Sequence, residues 1–280
     1  MKELILYTKE RFPVFAALFF SILILSSINL YFFDKLNFYS YFYIGIILLV
    51  LFLFRIRIMD DIKDYKYDST FHKERAVQKG IISTKKLKKI LILVLSIELL
   101  LQLLLPKFAI YFYIFLIFYS FLMFKNFFNN NLAKKHFFLF ILLHQFIFAF
   151  YIYYYFSIFN QKMVPLDLKN FIVMFFLFLT MYIYEISRKS SHRFDENNEK
   201  TNDTYIYKWG KNNVLIVLFS FIFLQIICLL FTFKKINTFL IIYVLLFIIG
   251  ISFSKIREKE KYFILMIISG LVTFISYYFI

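Results

Sequence analysis

Asp61, Asp64 and Asp68 stand at i, i+3 and i+7 in a stretch that reads RIRIMDDIKDYKYDSTFHKERAVQKG from Arg55 to Gly80. On one continuous helix they share a face and stack over two turns. Like charges so placed repel, by roughly a few tenths of a kcal/mol per exposed pair, so something positive has to offset them. Carboxylate oxygens are hard ligands suited to Mg²⁺, which usually takes one or two carboxylates together with substrate phosphates. Arg57 lies one turn before Asp61 on the same face, and Arg75 and Lys79 follow the cluster. The same residues also read as a solvated, lysine-laced loop. What favours a site is their position at the end of an apolar helix, where charge is costly and often functional.

A second polar stretch runs from Tyr184 to Gly210 as YEISRKSSHRFDENNEKTNDTYIYKWG. Glu185, Arg188 and Lys189 open it, with Glu185 and Lys189 at i, i+4, and Asp195 and Glu196 follow. An internal ion pair plus a polar loop accounts for these residues as well as a second ligand set does. Glu98 and Gln102 lie one turn apart inside an apolar run. The plain expectation is a protonated Glu98 bonded to Gln102 or to a neighbouring helix, and the sharper one is a functional carboxylate. His72 and His192 read as solvated, since no second histidine makes a ligand pair. Cys228 is the only cysteine, so no intrachain disulfide or thiolate metal cluster can form.

The elements that must position these residues are membrane helices. Of the 280 residues 62% are hydrophobic, where a soluble domain sits nearer one half. Glycine (5) and proline (3) are scarce and the apolar runs continuous, which excludes an alternating β-barrel. Nine spans are predicted, at roughly 12–33, 38–58, 90–105, 108–124, 137–158, 165–186, 213–233, 236–253 and 262–280. The expectation is one all-α transmembrane domain over 1–280, with motif loops at 57–89 and 185–212. The apolar stretch from Phe12 to Phe33 is too long for a cleavable signal peptide.

Lysine and arginine concentrate on the cytoplasmic side of membrane proteins. With the N-terminus cytoplasmic, 27 of the 33 basic residues fall inside and 6 outside. That division supports the span count and the orientation, which puts the C-terminus outside; the expected location is a prokaryotic inner (cytoplasmic) membrane. The net charge of +16 is then mostly a topology signal, and no nucleic-acid-binding module is visible.

Asp61-x-x-Asp64-x-x-x-Asp68, followed by Arg75-Ala-Val-Gln-Lys-Gly80, resembles the first signature of the UbiA-type intramembrane prenyltransferases, NDxxDxxxD with an RPLxxG-like stretch. Asp60 stands where that family usually has Asn, and Ala76 where it has Pro. In the second stretch Glu185-Ile-Ser-Arg188-Lys189 is similar to a branch with an ExxRK motif in place of the usual DxxxD pair. The resemblance covers the whole chain in topology and about 50 residues in motif. It implies a nine-helix UbiA-like bundle that transfers a polyprenyl group from a prenyl diphosphate to an acceptor within the bilayer. It further implies catalytic and Mg²⁺-ligating roles for Asp61, Asp64, Asp68 and Glu185, with Asp195 and Glu196 as further ligands. Arg57, Arg75, Lys79, Arg188 and Lys189 would bind the diphosphate. The acceptor stays open. A transporter or permease and a catalytically inactive relative are the competing expectations. Against the transporter stands the clustering of carboxylates at the membrane boundary, whereas transporter sites lie near the midplane in broken helices.

Overall fold

A computed structural model describes residues 2–129, 135–194, 199–201, 204–252 and 260–279. Twelve α-helices are named here in chain order: α1 Lys2–Arg11, α2 Val14–Phe33, α3 Ser40–Lys63, α4 Tyr65–Phe71, α5 Thr84–Gln102, α6 Lys107–Phe124, α7 Phe137–Asn160, α8 Leu168–Arg188, α9 Tyr205–Trp209, α10 Lys211–Phe233, α11 Thr238–Ser252 and α12 Glu260–Ser276. Among the described residues there is no strand, only an isolated bridge between Phe194 and Lys200. The long apolar runs leave the backbone no partner but itself, and the helix satisfies every N–H and C=O within one segment. The three prolines fall at helix starts: Pro13 precedes α2, Pro106 precedes α6, and Pro165 lies just before α8. There a missing N–H costs nothing. Asp34, Gln161 and Lys234 end α2, α7 and α10 in the left-handed conformation, turning the chain sharply into the short loops.

A helix stands over each of the nine predicted stretches. Six of them, α2, α3, α6, α7, α8 and α10, are long and apolar enough to cross a membrane. Large apolar side chains stay exposed on several of these, such as Phe15, Tyr111, Leu168 and Phe231. Three short helices, α1, α4 and α9, lie outside the nine stretches.

The chain divides into two compact units, Met1–Met163 and Val164–Ile280. In the first, α3 packs on α5 and α2, and α6 packs on α7. In the second, α8 packs on α10 and α12, and α11 packs on α12. Inside the second unit Gln225 donates to Thr180 Oγ1 at 2.8 Å and accepts from the Tyr243 hydroxyl at 2.8 Å, a fully paired polar knot among apolar helices.

Candidate functional site

The predicted motif segment is built on α1 as much as on α3. Tyr7, Ile58, Ala76, Val77, Ile82 and Leu87 form one buried cluster, so α1, the end of α3 and the 76–82 loop share a small core. Burial of each large apolar side chain contributes on the order of 1.5–3 kcal/mol. The loop turns back at Gly80, whose φ of +73° glycine adopts without the steric cost that a side chain adds. Ile81 N–H then reaches Ala76 O at 2.9 Å. Ser83 caps α5 by accepting from Lys86 N–H at 3.2 Å. Glu10 of α1 accepts from Ala76 N–H at 2.8 Å, a bond that a proline at 76 could not make.

Three side chains converge on Asp61. Its Oδ1 accepts from Nη2 of Arg11 at 2.5 Å and from Nη2 of Arg57 at 2.8 Å. Its Oδ2 accepts from the Tyr7 hydroxyl at 2.8 Å and from Nε of Arg11 at 3.3 Å. Burial, with the Asp61 carboxylate beside it, raises the Tyr7 hydroxyl far above its usual range, so it stays protonated and donates. Asp68 is buried and pairs with Nη1 of Arg75 at 2.5 Å. Asp64 sits exposed at the joint between α3 and α4, with ψ near 6°. The three aspartates are therefore not stacked on one helical face: Asp61 and Asp68 point into the protein, each to its own arginine partners, and Asp64 to the surface. Arginine supplies the positive charge that the spacing demanded. Lys79 is exposed, its backbone N–H bonded to Arg75 O at 2.9 Å. His72, expected to be solvated, is buried, with Nδ1 at 3.6 Å from Glu74.

The Mg²⁺ that the resemblance implies can be tested against these donors. An ionised carboxylate offers about four lone-pair sites, and four hydrogen bonds already occupy those of Asp61. Among the described residues no group of three His, Cys, Asp or Glu side chains could hold a metal ion. The arranged residues thus do not fit a three-carboxylate cation site.

In the second unit Glu185 accepts from Lys189 Nζ at 2.7 Å and from Arg188 at 2.8 Å. Lys189 Nζ also lies 5.5 Å over the Tyr205 ring, and Tyr205 N–H donates to Lys189 O at 3.1 Å. These contacts tie the start of α9 to the end of α8. Asp195 and Glu196 lie outside the described residues.

A further polar group is buried deeper in the first unit. Arg55 Nε lies 2.8 Å from Glu98 Oε2, both side chains at most 1% exposed. Arg55 Nη2 donates to the Tyr151 hydroxyl at 3.2 Å and the guanidinium stands 5.4 Å over the Phe52 ring. Gln102 donates to Glu98 O at 3.4 Å and accepts from the Tyr154 hydroxyl at 2.5 Å. Glu98 therefore has an ionic partner on another helix, Arg55, in place of the expected neutral bond. Arg55, inside the predicted span 38–58, is a buried residue of α3.

Comparison with protein-family models, with curated proteins and with solved structures returns no match.

Proposed function

We propose that this chain is an intramembrane prenyltransferase with a UbiA-like bundle of nine spans, N-terminus cytoplasmic, and that it moves a polyprenyl group from a prenyl diphosphate to an acceptor in the bilayer. The observation that carries the reading is the cluster of Arg11, Arg57 and Asp61 at one end of α3. Two guanidiniums against one carboxylate leave an excess positive charge at the end of an apolar helix. A cationic cluster next to apolar helices suits an anionic head on an isoprenoid tail. In the reaction the allylic C–O bond breaks and its electron pair leaves with the diphosphate. A new bond forms from the same carbon to the acceptor, which loses a proton. Guanidiniums at the departing diphosphate stabilise the charge that develops there. Mg²⁺ and the residues Glu185, Arg188 and Lys189 enter this reading through the resemblance alone, and no step is assigned to them.

One observation favours a transporter instead: the Arg55–Glu98 pair buried among helices, since ionisable groups within membrane helices often mark transport paths. The deciding experiment uses the purified chain in nanodiscs with geranyl and farnesyl diphosphates. Release of diphosphate and appearance of a prenylated product support the enzyme. Binding without release supports the inactive relative. Absence of both, with movement of ions or anionic lipid in proteoliposomes, moves the transporter ahead.

A further inference from the structure

The disagreement between the motif and its donors carries an inference of its own, which rests on the prenyl diphosphate reading. We infer that Arg11 and Arg57 bind the phosphate groups of the ligand directly, without a bridging divalent cation, and that Asp61 is the positioning residue that holds the two guanidiniums side by side.

With every lone pair of Asp61 engaged by Tyr7, Arg11 and Arg57, a cation could bind there only by displacing one of these donors. Each guanidinium carries five N–H donors. Asp61 takes Nε and one Nη of Arg11 and one Nη of Arg57, so most of the fork of each is left over. The Nε of Arg57 is buried and has no hydrogen-bond partner, a group that a phosphate oxygen would satisfy. Side-chain exposures of 13% for Arg11 and 17% for Arg57 keep both reachable while shielding them from bulk water, which strengthens charge-assisted bonds. Of the neighbouring carboxylates, Asp60 faces Lys63 at 3.5 Å and Asp68 faces Arg75, while Glu10, bonded to Ala76 N–H, is exposed to solvent, which screens its charge. The planar fork is the geometry that recognises phosphate in two bonds at once.

Arg11 belongs to α1, so α1 is part of the binding site. Tyr7 and Arg11 grip Asp61, Glu10 grips Ala76, and Glu3 pairs with Lys86 at 2.9 Å. These contacts run along the length of the helix and fix where the Arg11 fork points.

Isothermal titration on the full chain in phosphatidylcholine nanodiscs tests this, with inorganic diphosphate and geranyl diphosphate as probes, each in EDTA and in Mg²⁺. The expected result is a Kd in EDTA within about twofold of that in Mg²⁺, and a loss of about tenfold or more in Arg11→Ala and Arg57→Ala. Arg11→Lys, which keeps the charge and loses the fork, should recover only part of the binding. Ala76→Pro leaves every charged residue in place, frees Glu10, and should weaken binding by loosening α1. Binding that vanishes in EDTA in the wild type overturns the inference, and so does unchanged affinity in a folded Arg11→Ala. No binding of either probe under either condition also overturns it. Turnover that requires Mg²⁺ leaves the prenyltransferase reading standing and removes this one. Metal-free binding of inorganic diphosphate, with no gain from a prenyl chain and no turnover, does the reverse.

Discussion

At the residue scale, Asp61 is a counter-ion to two arginines and no longer one of three mutually repelling carboxylates. Asp61→Asn therefore removes the charge that Arg11 and Arg57 share, and stability should fall by about 3 kcal/mol, near the lower end for breaking a buried pair. Thermal unfolding of the variant in detergent measures this, and an unchanged midpoint would place the arginines' anchorage elsewhere. Arg55 and Glu98 permit a sharper test. Glu98→Leu strands a buried guanidinium and should cost about 3–5 kcal/mol, whereas Arg55→Met with Glu98→Leu should cost little, because well-packed apolar residues often replace a buried pair without loss. A double variant as unstable as the single one would show that the helices need the charges themselves. Asp61 and Arg57 were legible in the sequence because they sit four residues apart on one helix. Tyr7 and Arg11 were not, because their partner lies about 50 residues on and no periodicity reports a contact at that range. One signal was available for the deeper pair: two opposite charges, each inside an apolar run, have to find each other or some other partner.

At the element scale, the apolar runs located the nine long helices among the described residues, since the length and continuity of a run decide that a helix forms there, although α5 begins earlier than predicted, at Thr84. The shorter α1 escaped notice because its sequence, KELILYTKER, is mostly polar and holds only by docking Tyr7 into a core made of later residues. A helix of 10 residues does not persist in water by propensity alone. The joint at Asp64 escaped notice for a similar reason: burial of Asp68 against Arg75 outweighs continuation of α3. Ala76→Pro should lower stability by about 1 kcal/mol through the lost bond to Glu10, and hydrogen exchange across residues 2–11 should speed up while α3 is unaffected. Unchanged exchange there would mean that Tyr7 and Arg11 suffice to dock α1. Gly80→Ala should cost about 1–2 kcal/mol from the left-handed backbone alone, read from the same unfolding curves, since no neighbouring atom lies within 4 Å of an added Cβ.

At the scale of the whole molecule, length separates the six spanning candidates from the rest. The 15 residues of α11 cover only about 22 Å at the usual helical rise, against about 30 Å for the hydrocarbon core. The lysines at the start of α5 shorten its apolar part in the same way. The proposed nine-span topology is checked by labelling single cysteines in a Cys228→Ala background, a change that removes one small buried side chain. Ser69→Cys and His192→Cys, both at exposed positions, should react only from the cytoplasmic side, and Lys162→Cys, also exposed, only from outside. Labelling of the first two from outside intact cells would overturn the orientation.

The grip of α1 on Asp61 and Ala76 also has a meaning in time. Both partners follow α1 in the chain, Ala76 by 66 residues from Glu10. At synthesis rates of about 5–20 residues per second, α1 leaves the ribosome several seconds before anything exists for it to hold. Tyr7 and the excess charge of Arg11 wait at the membrane surface while α2 and α3 insert. Docking of α1 thus waits for α3 and the 76–82 loop to be made, and a nascent chain arrested before residue 76 should carry an α1 that a protease can still cut.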